Sequence, residues 1–345
     1  WVDGPLTISL PASLSGVNTY QLPVGSSTAY QGFDLIDPAT STAATVTAEY
    51  LASSTAGTPI NGMQSLQTGR WSTSTTGGFT SATVRVNSTG INVGQDALAK
   101  SAGAIGDNYD IAGTANISTT QVSSDAAQTS LGFYALGVKA VTMTYSSSTT
   151  EQGPTTYAYT GAANQQIIRV KITTSGNYQP ATLDDITFNA NGSTIANIAA
   201  NVTRAKLYYT HNSTTFSATE QIGADVAGAL MTSDFIIAPS PAVQLEPGDN
   251  YFWLVYDVEP LPGVTVNDIL DAQCTTFTIT ESGAGQSIKT PTETNPAGSR
   301  TIKSQLNGDY FVGPTETSPN FTSLTAAVAA LNDVGVGSAV RFLLK

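Results

Sequence analysis

The sequence predicts an all-β protein: two antiparallel β-sandwich domains of jelly-roll or Ig-like type in series, followed by a short helix-strand cap. Three observations predict it. Thr and Val dominate short runs that alternate polar and apolar residues with a period of two. Turn-forming groups punctuate the chain, among them Gly77-Gly78, Gly103, Asn191-Gly192, Pro247-Gly248-Asp249 and Pro262-Gly263. No helical period intervenes before the last part of the chain, which argues for packed sheets.

The individual runs carry this expectation. In 80–87, Ala82, Val84 and Val86 share one face, with Thr83, Arg85 and Asn87 on the other. Segment 139–145 reads as a strand with Val141, Met143 and Tyr145 on one side. A Ser/Thr-rich loop is expected at 146–156. Segment 166–174 sets Ile168, Val170 and Ile172 against Arg169, Lys171 and Thr173. Two runs, 207–209 and 251–256, are apolar at both parities, as in strands covered on both sides. His211-Asn212-Ser213 reads as a hairpin tip leading to Thr215-Phe216.

Boundaries fall near Leu136-Gly137-Val138 and after Lys303. The expected parts are 1–138, a β-sandwich; 139–303, a second sandwich; and 304–345, a helix-strand segment. In the last part Phe321, Leu324, Val328 and Leu331 form one helical stripe. Asn320, Thr322 or Ser323 can cap its start and Gly335 can end it. The strand Ala339–Leu344 follows, with Val340, Phe342 and Leu344 on one face. These three are the candidates for contact with another copy or with a further module, because an apolar strand edge left in water invites pairing.

Composition narrows the function. The 345 residues hold 13 Lys and Arg against 25 Asp and Glu, a net charge of −12. Charged residues are only 11% of the chain, against roughly 25% in ordinary soluble domains. The surface is therefore built from uncharged polar groups. Sparse, scattered basic residues and a negative net charge argue against nucleic-acid binding. No apolar run reaches the roughly 18 residues that a transmembrane helix needs. The one cysteine, Cys274, excludes an internal disulfide framework.

Few residues invite chemistry. His211 is the sole histidine, and an exposed turn residue is expected there rather than a catalytic base. Cys274 sits in a strand-like run and is expected to be buried and inert. Trp71 and the aromatic run 251–256 are expected to be core rather than sugar platforms. The tightest carboxylate pairs are Asp184-Asp185 and Asp268 with Asp271. As hard oxygen ligands they would suit Ca²⁺, although no D-x-D-x-D-G loop is present and no cofactor is otherwise expected.

Three stretches carry resemblances. "VDGPLTISLPASLSG" and "YQLPVG", with the later "SLGFYALGVKA", resemble a β module of large surface proteins of Bacteroidota-type bacteria. "AKLYYTHNSTTFSATEQIG", "LEPGDNYFWLVYDVEPLPGVTVNDILDAQCTTFTI" and "TNPAGSRTIK" are similar to the β-sandwich domain that precedes the catalytic domain of bacterial BNR-repeat sialidases. "GDYFVGP" and "NFTSLTAAVAALNDVGVGSAVRFLL" look like the opening cap of a right-handed parallel β-helix. The resemblances imply a multidomain adhesin-type parent exported by the type IX secretion route. They transfer no catalytic residue. The sialidase S-x-D-x-G-x-x-W boxes are absent, and Arg70, Arg85, Arg169, Arg204, Arg300 and Arg341 are scattered over the chain.

The expectation is a non-catalytic extracellular structural or adhesive protein at a bacterial cell surface. It would contribute spacer and contact modules, with other copies of itself, further domains or surface glycans as partners. Two alternatives stand beside it. One is a self-assembling filament or surface-layer subunit joined by strand pairing. The other is a carbohydrate-binding accessory region of a glycosidase.

Overall fold

The computed structural model describes residues 1–115 and 117–345. Strand accounts for 53% and helix for 6%, so the chain is all-β. It divides into two compact units, Trp1–Val141 and Thr142–Lys345.

The first unit is built on one ten-stranded sheet, beside a short two-stranded one in which Val2–Asp3 pairs with Val24–Gly25. Its backbone is the pairing of two long antiparallel strands, Phe33–Leu51 and Arg70–Asn87. A straight strand of that length would run about 60 Å, far beyond a domain of this size. The strands bend instead. Their register breaks three times between Ile36 and Ala44. Opposite that break stand Gly77, at φ +77°, and Gly78. A Cβ on Gly77 would lie 2.2 Å from the Ala43 carbonyl oxygen, and one on Gly78 would lie 2.4 Å from Thr42 N. Gly77-Gly78, read from sequence as a turn between strands, is thus a bend within one strand, where only glycine lets the backbones approach.

The bend doubles the two long strands over the larger of the unit's two apolar clusters; Met63, Ala97, Ala99, Tyr109 and Ala135 form the smaller one. Phe33 and Leu35 from one half of the first long strand share the larger cluster with Ala44, Val46 and Ala48 from the other. Leu6–Leu10 and Thr19–Leu22 pair with opposite halves of the same strand. In the partner strand Ala82, Val84 and Val86 are all fully buried, as the alternation predicts.

The second unit contains a sandwich of two sheets. One has the order Thr144–Gln152, Gln165–Ser175, Gly248–Val258, Val202–Tyr209, Gln221–Ala227, all antiparallel. The other is built on Thr182–Asn189 and Gln273–Glu281, flanked by Phe235–Ile237 and Gly285–Lys289. Ile168, Val170, Ile172, Leu207, Phe252, Leu254 and Tyr256 meet Leu183, Ile186, Phe188, Phe277 and Ile279 between them. The central strand is covered on its other face as well: Tyr208, Trp253 and Val255 are buried there, with Phe216 packed against them. Arg169 lies over the rings of Tyr251 and Trp253 at 4.7 and 5.1 Å.

Two sequence expectations need correction in this unit. Segment 139–145 is not one strand: Lys139 ends the strand Phe133–Lys139 and Thr144 begins the next. The Ser/Thr-rich run does not form a loop throughout; Thr144–Gln152 is a strand. Its inward hydroxyls are satisfied where they are buried. Thr150 Oγ1 donates to Glu293 O at 2.6 Å, and the Ser148 and Tyr145 hydroxyls are bonded at 2.8 Å.

Segment 304–345 is a β-α-β element within the second unit. Strands Leu306–Val312 and Val336–Leu344 pair in parallel, joined through the helix Leu324–Val334. Ser323 Oγ caps the helix by accepting from Ala326 N at 3.2 Å, and Gly335 follows at φ +66°. The predicted stripe is covered in part: Phe321 and Leu331 are half-buried, while Leu324 and Val328 are exposed and Ala327 is the fully buried residue of the helix. No helix among the described residues is long and apolar enough to cross a membrane.

Candidate functional site

The most chemically distinctive surface is a cleft at the hairpin tip after Tyr209. The tip residue His211 takes φ +54°, the left-handed conformation of a tight turn. Tyr251 N donates to its carbonyl and Ser213 N to that of Thr210, so the tip is fixed by backbone bonds. The base is an aromatic stack. Tyr209 lies 4.7 Å from Phe252 at an interplanar angle of 10°, and His211 lies 4.2 Å from Tyr209. The buried Tyr209 hydroxyl donates to Asn250 Oδ1 at 2.5 Å. The same amide ties the neighbouring loop, accepting from Glu246 N and donating to Glu246 O.

This arrangement delivers two carboxylates to the imidazole. Glu246 Oε1 is 2.9 Å from His211 Nδ1, and Glu220 Oε2 is 2.9 Å from Nε2. Burial disfavours the charged ring, but the hydrogen bonds and charges of Glu220 and then Glu246 outweigh it, so the His211 pKa is raised. As an imidazolium it donates from both nitrogens. Neither is free to take a proton from a substrate hydroxyl, which a Ser-His-Asp device requires. The two carboxylates also sit on opposite edges of the ring and do not converge on a common point. The cleft beside them, about 410 Å³, is lined by Tyr209, Glu220, Ile222, Pro241 and Gln244 among others.

The structure separates the other sequence candidates. A register shift between Leu183 and Asp185 places both Asp184 and Asp185 between the buried Leu183 and Ile186, bonded to Thr side chains. Asp184 accepts from Thr280 and Gln286, and Asp185 from Thr278. Asp268 accepts from the amides of Asn197 and Asn201. Asp271 is buried and accepts from Ala272 N. Each carboxylate has its own protein donors, and no group of three or more His, Cys, Asp or Glu among the described residues is disposed to hold a metal ion. Cys274 is fully buried, and burial pushes its thiol pKa up. Trp71 is core, donating Nε1–H to Gln31 O at 2.8 Å.

The contact candidates of the last strand divide. Phe342 packs into an aromatic trio with Tyr310 and Phe321, at 6.1 and 5.8 Å between ring centres. Val340 is half-buried, and Leu344 stands 70% exposed. The strand pairs with Leu306–Val312 along one edge, in a sheet of two strands, and its other edge has no strand partner among the described residues.

Compared with known proteins, the chain matches no protein-family model and no curated protein.

Proposed function

We propose that the chain is a non-catalytic structural and adhesive protein of the extracellular surface, acting as spacer and contact modules. The observation that carries this reading is the outer face of its ladders. Hydroxyls bond to each other across strands: Thr7 with Thr47 at 2.7 Å, Thr45 with Thr76 at 2.6 Å, Thr144 with Ser175 at 3.2 Å. Such faces remain hydrated and rigid without the Lys and Glu that ordinary soluble domains use. They support short-range hydrogen bonding to a partner rather than long-range steering of a charged one. The resemblance to adhesin-type modules points the same way. His211 and Cys274, the residues that would begin acid-base or nucleophilic chemistry, are committed to structure.

The test is location. An antibody raised against the chain, applied to intact source cells, is expected to label them as strongly as it labels broken cells. Labelling that appears only after lysis would overturn the proposal.

A further inference from the structure

The first unit holds a second cleft, of about 420 Å³, lined by Trp1, Thr28, Ala29, Tyr30, Asn87, Ser88, Thr89 and Thr120. It has two unlike walls. One is aromatic. Val2–Asp3 pairs in parallel with Val24–Gly25, which brings Trp1 over the turn at 26–29. The indole Nε1–H donates to Ser26 O at 2.7 Å and fixes the ring. Gly25 makes the approach possible: a Cβ there would lie 2.7 Å from Trp1 Cδ1 and 2.4 Å from Ala29 O. Tyr30 stands beside the indole with ring centres 6.1 Å apart and planes at 57°, so the two form a corner. Both are outward-facing, at 61% and 37% exposure.

The other wall is polar and uncharged. The hydroxyls of Ser88, Thr89 and Thr120 have no side-chain hydrogen-bond partner among the described residues. Ser88 N donates to Thr120 O and Asn87 N to Gly32 O, which holds this wall to the sheet. The Asn87 amide is positioned from both ends, donating to Asp34 at 3.0 Å and accepting from Gln121 at 2.8 Å. Among the described residues, no Asp, Glu, Lys or Arg lines the cleft. The nearby Asp34 charge is taken up beneath it by Arg85.

Exposed, fixed aromatic faces opposite uncommitted hydroxyls match a ligand with one apolar face and a neutral hydroxylated rim. Aromatic faces carry negative quadrupole charge and attract the polarised C–H groups of such a face. A pocket needs few convergent polar groups to set orientation. We propose that this corner binds a neutral hexopyranose unit, its apolar face on Trp1 and Tyr30 and its hydroxyls toward Ser88, Thr89, Thr120 and Asn87. This goes beyond the surface role above and stands or falls separately from it.

The fluorescence of the chain isolates the site, since Trp71 and Trp253 are buried at 2% and 7% exposure and Trp1 is not. The full chain would be titrated with the methyl α- and β-glycosides of glucose, galactose, mannose and N-acetylglucosamine, and with the methyl glycoside of sialic acid. At least one neutral glycoside is expected to shift Trp1 emission saturably, with a dissociation constant on the order of 1 mM. Tyr30→Ala should weaken that response roughly tenfold or more. Trp1→Ala, followed by saturation transfer to the sugar protons, should weaken it similarly, while Trp1→Phe retains part of it. Circular dichroism of each variant confirms that the unit remains folded. Absence of saturation up to about 100 mM for every neutral glycoside, preference for the anionic glycoside, or full binding by folded Trp1→Ala would each overturn the inference.

Discussion

Trp253 donates its indole N–H to the hydroxyl of Thr210 at 3.0 Å, across the central strand pair of the second unit. The bond satisfies the polar atom of a ring otherwise enclosed by Phe216, 5.7 Å away edge to face, and by the Arg169 guanidinium. The aromatic run 251–256 is therefore covered core and no open platform. Trp253→Ala should destabilise the second unit by roughly 3–5 kcal/mol. Trp253→Phe should cost less, leaving mainly a smaller ring and a lost hydrogen bond of about 1 kcal/mol. Denaturant unfolding followed by circular dichroism would measure both; equal, small losses would mean that the ring is not packed as described.

His211 gives the second unit a pH dependence of definite sign. Its pKa is raised above the usual 6.5 by Glu220 and Glu246 in the fold. The protonated form is thus stabilised by folding. That contribution is complete below the unfolded value and fades as pH rises through the higher folded one. His211→Gln should flatten the stability profile in that window. Because the chain has a single histidine, its ring-proton NMR titration is unambiguous, and a midpoint at or below 6.5 would contradict the double carboxylate contact.

Asp271 should act in the opposite pH range. Burial pushes its carboxyl up to about 6, against the hydrogen bond from Ala272 N. The unfolded carboxyl titrates near 3.9, so folding holds the proton and stability falls as pH rises from about 4 to about 6. Asp271→Asn keeps the acceptor and removes the charge. It should stabilise the unit by about 1–3 kcal/mol above pH 6 and by little at pH 4. A loss of stability at pH 8 would count against this account.

The final strand separates two roles that its alternation had joined. Phe342→Ala removes the ring shared by Tyr310 and Phe321, and should open residues 304–345 to protease while the sandwich persists. Leu344→Ala should leave that resistance intact, because its side chain faces solvent. If association between copies uses this face, sedimentation should show Leu344→Ala weakening it. Equal protease sensitivity of the two variants would argue against the aromatic trio as the clamp.

Strands were legible where one face is apolar. Ile168, Val170 and Ile172 are buried as the alternation requires, and so are Leu207, Phe252, Leu254 and Tyr256. Legibility failed where hydroxyls replace hydrocarbons on the inward face. Ser148 and Thr150 are buried because their hydroxyls are satisfied, the first by Tyr145 three residues earlier in the same strand and the second by Glu293, a neighbour only in the fold. The Gly77-Gly78 bend was misread since a close approach to Thr42 and Ala43 has no local signature distinct from a turn. In the helix Ala327 is the fully buried residue and Leu331 is half-buried, while Leu324 and Val328 of the same stripe face solvent. His211 stood out in the sequence, but Glu246 comes to it from 35 positions away, and nothing in the spacing of the acidic residues marks that pairing. Trp1 and Tyr30 meet only because a short parallel bridge aligns Val2 with Val24.

The doubling of Phe33–Leu51 over its own core also governs how the first unit comes apart. In a sandwich of two separate sheets, the layers can peel from one another while each keeps its internal ladder. Here the layers share covalent strands through the Gly77-Gly78 bend, so water cannot enter between them without straining backbone common to both. Loosening either half exposes Phe33 and Val46 together. The unit should accordingly melt as one cooperative block, with amides at both ends of the long strands exchanging through the same opening event.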